Sequence, residues 1–144
     1  MAESRACELC RSPDGEVLYR DALLRVVQID EPDLPGFVRV IVNTHVAELT
    51  DLAAADRARV MDAVYAVEAA QRAVLAPTKI NVASLGNVVP HLHWHVIPRF
   101  ADDAFFPGAI WAARQRDTPA AVFAARRARL PALAAAIRHQ LGSG

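Results

Sequence analysis

Residues 90–100 read PHLHWHVIPRF and hold three of the chain's five histidines, at every second position. On an extended strand, residues two apart point to the same side of a sheet. His91, His93 and His95 would then share one face, and Leu92, Trp94 and Val96 the other. A helix would throw His93 away from its two neighbours. The Trp, Val and Ile content and the bounding prolines favour the strand, which is expected over 91–97 between Pro90 and Pro98. Its apolar side should pack under a helix, and its histidine side should face an opening or solvent.

Working outward, EVLYR (16–20) and LLRVVQI (23–29) read as short strands, and DEPDLPG (30–36) as a turn with two prolines and a glycine. FVRVIVN (37–43) is β-branched and mostly apolar, a good strand. A long helix follows. Val60, Val64, Val67 and Val74 fall on one stripe near period 3.6, with Arg57, Asp62 and Arg72 off it. Thr50 or Asp51 could cap its start, and Pro77 ends it. TKINVAS (78–84) is another strand. A second helical stretch covers about 119–140, where Leu130, Leu133, Ile137 and Leu141 share a face and Pro131 sits near a helix start or kink. The expected fold class is α+β, with about five strands in an antiparallel sheet, one long central helix and a C-terminal helix.

Length and composition narrow the function. The 144 residues suit a single domain with a modest core, and 53% apolar content argues against disorder. Formal net charge is zero and no long basic run stands out, which argues against nucleic acid or an anionic membrane as the main partner. No apolar stretch reaches membrane-spanning length. The opening MAESRACELC has no apolar core of a signal peptide, so a cytoplasmic location is expected. In such a compartment a disulfide between Cys7 and Cys10 is disfavoured.

The alternating histidines have two chemical readings. Alternating imidazoles can supply ligands to a catalytic zinc, which needs neutral rings, an open coordination position and oriented neighbours. Alternatively, one imidazole is a nucleophile, its far nitrogen hydrogen-bonded to fix the tautomer, with donors nearby for the oxygens of an attacked phosphate. Spacing alone does not separate them. Cys7-x-x-Cys10 is likewise open: a redox pair, half a zinc site, or neither. A thioredoxin-like pair normally opens a helix after a strand, and no strand precedes this one.

HLHWHVIP resembles the defining signature of the histidine triad (HIT) family, His-x-His-x-His followed by two apolar residues. PGFVRVIVNTHVAELTDL is similar to that family's strand–histidine–helix segment and includes His45. CELC is similar to the Cys-x-x-Cys of many bacterial members, and LGNVVPHLHWHVIPRF to the segment joining the last two strands. The resemblance runs over about residues 7–111, so a single HIT-like domain over 1–144 is expected, with a helical extension at about 119–141.

The resemblance implies a homodimeric nucleotidyl hydrolase or transferase, of the diadenosine-polyphosphate-hydrolase-like branch. Its substrates would be adenine nucleotide conjugates such as dinucleoside polyphosphates or phosphoramidates, attacked at the α-phosphorus. His93 would be the nucleophile, His95 would bind a phosphate oxygen and aid proton transfer, and His91 would orient the others. Asn87 stands where a glutamine is usual, and Asp30 at the acidic ribose-binding position. Cys7, Cys10, His45 and His91 would hold a structural zinc, with no organic cofactor. Val88 and Val89 occupy the stretch where many members carry a hydroxyl donor, and Phe37 stands where a histidine is common. Two rival readings remain: a metal-dependent hydrolase with zinc on all three triad histidines, and a nucleotide-binding regulatory module with little turnover. The cage predicts that chelators abolish activity, the module that nucleotide binds without turnover.

Overall fold

In the computed structural model, which describes residues 5–142, alternating apolar segments pair into five antiparallel strands. They are β1 (Glu16–Arg20), β2 (Leu24–Gln28), β3 (Val38–Val42), β4 (Lys79–Ala83) and β5 (His93–Arg99), in the order β1-β2-β3-β5-β4. A short helix α1 (Glu8–Arg11) precedes the sheet. The long helix α2 (Ala54–Leu75) joins β3 to β4, and two helices, α3 (Ala120–Arg127) and α4 (Leu130–Gln140), end the described chain. This is the expected α+β architecture. The first four residues of the segment read above for a leader lie outside the described residues.

One face of the sheet packs on α2. Val60, Val64, Val67 and Leu75 are buried there against Val26, Val38, Val40, Trp94 and Val96. Each such side chain contributes roughly 1.5–3 kcal/mol by leaving water. Val74 is only partly buried at the edge of this cluster. Leu133 and Ile137 of α4 enter the same cluster, with Leu130 and Leu141 at its margin, so the C-terminal helix seals the core between α2 and β1. Pro131 lies in the first turn of α4, where its missing N–H costs nothing, and the expected single stretch is two helices.

The long helix starts later than expected. Residues Leu49–Asp51 form a 3₁₀ turn in which the Asp51 carboxylate accepts from the Glu48 N–H, so neither Thr50 nor Asp51 caps α2. Ala53 is its N-cap residue, without a side-chain hydrogen bond. Its other end closes on Ala76 in the left-handed conformation, φ 46°, just before Pro77.

The last strand is displaced by two residues from the expected 91–97. His91 lies before β5 because the Val42 carbonyl, which a ladder would use, accepts instead from the His91 ring, Nε2 to O 2.6 Å. Pro98 lies inside the strand, paired with Ile80 of β4. The β3 ladder has already ended at Val38↔Val96, so its missing N–H leaves no partner unsatisfied on that side. At this opening the fully buried Gln71 of α2 donates from Nε2 to the carbonyls of Gly36 (2.9 Å) and Val96 (2.8 Å).

Gly36 faces Pro98 across the same opening. Its φ is +89°, and a Cβ there would stand 2.5 Å from Leu75 Cδ1. Left-handed backbone and overpacking together cost about 2–4 kcal/mol for a residue with a Cβ. Gly36→Ala should therefore lower the unfolding free energy by that amount, read as a lower urea midpoint at an unchanged m-value, and an unaltered midpoint would show that the turn is not constrained as described.

Candidate active site and metal centre

The second face of the sheet carries the polar residues. Register puts Arg39 opposite His95 and Ile41 opposite His93, so Phe37, Arg39, Ile41, His93, His95 and Ile97 share that face. The three triad histidines are all buried, at 1%, 7% and 6% exposure for His91, His93 and His95, yet they do not do one job. His93 and His95 line a pocket of about 390 Å³, together with Arg39, Asp14, Asn87 and Trp111. His91 points away from it, into a cluster with the cysteines. The expected opening exists, but it serves two of the three.

Hydrogen bonds set each imidazole. His93 Nδ1 lies 2.5 Å from the His91 carbonyl, which can only accept, so Nδ1 carries the hydrogen and Nε2 keeps its lone pair. The His93 carbonyl in turn accepts from Ser84 Oγ at 2.7 Å. His95 is set the opposite way. Arg39 Nε donates to its Nδ1 at 3.3 Å, so the hydrogen of the neutral ring sits on Nε2. One ring thus offers a nucleophilic nitrogen and its neighbour a donor, their centroids 5.0 Å apart. Burial depresses the pKa of both. For His95, burial first and the Arg39 charge second bring it down to about 4.

The cluster at His91 has a different chemistry. His91 Nε2–H is spent on the Val42 carbonyl, and Nδ1 faces His45 Nδ1 at 3.3 Å, Cys7 Sγ at 3.5 Å and Cys10 Sγ at 3.4 Å. Cys10 Sγ lies 3.3 Å from His45 Nδ1, and all four ligand atoms fall within 4.8 Å of one another. Tetrahedral zinc with ordinary bond lengths needs about 3.3 Å between two nitrogens and about 3.6 Å between nitrogen and sulfur. The donor set therefore fits zinc in kind and in spacing. The Cys10 thiol is pushed up, by desolvation and then by the neighbouring Cys7, a repulsion that a bound cation reverses. The cysteines form no disulfide. Among the described residues this is the one group of three or more such side chains able to share an ion, so the three triad histidines do not form a metal cage.

A larger cleft of about 750 Å³ opens beside the cluster, lined by Cys7, His45, Val46 and Val88. It contains neither His93 nor His95, and the smaller pocket is where the reactive nitrogens converge.

The remaining expected site residues divide. Asn87 is exposed on the loop over the His93 pocket. Asp30 is not brought there: it is exposed past the end of β2, in a separate hollow with Glu31 and Arg127. Strand parity explains this, since Ile29, opposite Phe37, holds the histidine-face position one residue earlier. Val88 is 93% exposed and gives the pocket no polar donor. Phe37 stacks on His95, with centroids 5.7 Å apart at 20°. Sequence reasoning passed over Arg39 and Asp14, which form an ion pair at the pocket's edge. The Trp111 ring also stands at this pocket, 5.4 Å from His95 and 57% exposed. Arg39 had one visible signal, as the lone charge in an apolar strand.

The loop carrying Trp111 is pinned at its base. Asp103 and Arg99, both 2% exposed, pair at 2.8 Å, and Arg99 also donates to Asn81 Oδ1 and the Gly108 carbonyl. Asp103 accepts the N–H groups of Phe100, Phe105 and Phe106. Burial opposes its ionisation, but these donors hold its carboxyl below the ordinary range.

Against known proteins, the HIT domain family model matches residues 11–102. A histidine triad protein from Bradyrhizobium japonicum superposes with a TM-score of 0.71 at 25% identity, over 90% of this chain and 92% of that one. A zinc-bound histidine triad family protein from Mycobacterium smegmatis gives a TM-score of 0.58 at 25% identity, over 92% and 99%. An asymmetrical bis(5′-nucleosyl)-tetraphosphatase from Schizosaccharomyces pombe is 32% identical over 90 residues, 59% of this chain and 50% of that one. The chain thus spans about half the length of that curated relative.

The His95 ring has an ordinary pKa of 6.5 and a folded value of about 4. The unfolded chain therefore binds the proton first, and stability should fall as pH drops from 6.5 through 4 and stay flat above. The full shift corresponds to at most about 3 kcal/mol. Thermal melts at pH 7.5, 6 and 4.5 should show this loss in the wild type and less of it in His95→Gln. Equal losses in both would mean that His95 is not the group responsible.

Proposed function

The chain belongs to the HIT domain family, and on that premise we propose that it is a nucleotide phosphohydrolase acting at the α-phosphorus of adenine nucleotide conjugates. The observation that carries the reading is the His93 tautomer: Nδ1–H is committed to the His91 carbonyl, which leaves Nε2 a lone pair in the pocket. The likeness to a dinucleoside tetraphosphatase and the 390 Å³ pocket support a nucleotide-sized substrate.

In the proposed reaction His93 Nε2 attacks phosphorus, an N–P bond forms, and the bond to the leaving group breaks with its electron pair. The leaving group takes up a proton as it departs. Water then attacks the nucleotidyl-histidine, returns the electron pair to Nε2 and yields the nucleoside monophosphate. Splitting one displacement into two lowers each barrier. His95 Nε2–H donates to a phosphate oxygen as charge develops, and its protonated form is kept out by burial and by Arg39. The Asn87 amide is a second donor at the pocket mouth. His91 acts by holding His93 through its carbonyl. Asp30 has no part in this pocket. The helical extension belongs to the same domain, and the protein acts as a homodimer in the cytoplasm.

Cys7, Cys10, His45 and His91 would hold a structural zinc, which, when bound, ties the N-terminal segment to the sheet and keeps both thiols ionised. A regulatory nucleotide-binding module is the competing outcome, and the apolar Val88–Val89 stretch is what favours it.

The test is single-turnover incubation with diadenosine tetraphosphate and adenosine 5′-phosphoramidate, read by intact mass. Wild type should cleave and carry one adenylyl group, while His93→Ala and His93→Gly should do neither. Turnover without an adduct, or nucleotide binding without turnover, would reject the covalent mechanism.

Metal analysis should find one zinc per chain. Cys10→Ser should lose it and melt at lower temperature, whereas a metal-free protein of unchanged melting temperature would remove zinc from the account.

A further inference from the structure

Arg39 is the one cation among the described residues that line the His93 pocket; Asp14 and Glu8 are its acidic neighbours there. His95, whose Nδ1 accepts from Arg39 Nε, carries no charge, and neither do Asn87 and Trp111. A phosphate anion entering this pocket therefore has a single cation to meet. In the free protein that cation is already occupied, since Arg39 Nη1 donates to the Asp14 carboxylate. The guanidinium's Nε serves His95, and Nη2 makes no hydrogen bond to any described residue. Both partners remain partly open to solvent, at 25% and 22% side-chain exposure.

The two partners are mounted differently. Arg39 sits in the middle of β3, paired on both sides, and its place is fixed by the ladders. Asp14 lies in the link between α1 and β1, with a left-handed φ of 75°, and its N–H is bonded to Ser12 Oγ at 3.1 Å. A non-glycine residue in that conformation costs free energy that its surroundings must offset. The Asp14 carboxylate is thus held from a connecting segment and not by a ladder, and a polyvalent anion competes with it for the same guanidinium nitrogens.

Resting on the hydrolase reading above, we propose that Arg39 is the anion-binding residue of this pocket and Asp14 the residue that sets its specificity. The Asp14 carboxylate holds the guanidinium in the free protein, and a substrate must displace it to place negative charge beyond the attacked phosphorus. The pocket then readily accepts a single phosphate with no further charge beyond it. It accepts a polyphosphate chain only at the cost of the Arg39–Asp14 pair.

Equilibrium binding tests this without requiring turnover. The affinities of AMP and of α,β-methylene-ATP, whose P–C–P link resists attack, would be measured by calorimetry without divalent cations. Full-length wild type, Asp14→Asn, Arg39→Gln and Arg39→Lys would be compared, with melting temperatures as the folding control. Asp14→Asn should shift the preference toward the triphosphate by about tenfold or more, the size expected when one charge-assisted competitor is lost. Arg39→Gln should shift it the opposite way by a similar factor, and Arg39→Lys should restore part of it. Preferences within about twofold of wild type in both Asp14→Asn and Arg39→Gln would overturn the proposal. Asparagine tolerates the left-handed backbone, so the Asp14 arm reads out even if an Arg39 variant folds poorly. Adenylylation of His93 by diadenosine tetraphosphate, in a separate portion of the same wild-type preparation, reports on the hydrolase reading separately.

Discussion

What each histidine of the alternating run can do is decided by a hydrogen bond on its other nitrogen. A backbone carbonyl accepts only, so it forces the hydrogen onto the nitrogen that faces it. Val42 does this to His91 Nε2 and thereby turns Nδ1 toward the cysteines. The His91 carbonyl does it to His93 Nδ1 and leaves Nε2 bare. Arg39 does the reverse to His95, since a guanidinium can only donate. Three identical side chains thereby present a nitrogen to the cysteines, a lone pair and a hydrogen-bond donor. The sheet must be rigid for this to hold, and β5 is rigid because every residue of it is buried between β3 and β4.

Much of this was legible in the sequence because period-2 alternation is a local property. Leu92, Trp94 and Val96 announced which face of the last strand is core, and the valine stripe of the long helix announced what covers it. The resemblance brought Cys7, Cys10, His45 and His91 together on paper, and the structure brings their ligand atoms within reach of one ion. The misplacements have a common cause, in that they depend on partners far along the chain. His91 falls outside the strand because the Val42 carbonyl, 49 residues earlier, takes its ring instead of a backbone N–H. Asp30 and Ile29 differ by one position, yet the ladder partner Phe37 decides which of them looks toward the histidines. Gln71 reads as an ordinary polar residue of a surface stripe until the gap between Gly36 and Pro98 shows what its amide satisfies.

The pocket's electrostatics follow from burial rather than from abundant charge. Its rings are held neutral by desolvation, and its single arginine is matched by an aspartate. Such a site has no surplus positive charge, because Asp14 and Glu8 outnumber Arg39 among the residues that line it. Charge selectivity in a site of this kind arises from which ion pair must be broken on entry, because no surplus positive field draws every anion in alike.

The Arg99–Asp103 pair has a consequence for how this protein can change. Arg99 is the last residue of the strand that begins at His93, so the mount of the Trp111 loop and the bare nitrogen are parts of one rigid rod. Asp103 gathers the backbone of residues 100, 105 and 106 whatever their side chains are, because it binds only N–H groups. The stretch beyond it behaves as an exchangeable panel. Its side chains can be rewritten, or a loop of another length grafted in, while the frame it hangs from stays in register with the His93 pocket. The pocket wall that Trp111 supplies can therefore be altered by a route that leaves the histidines untouched.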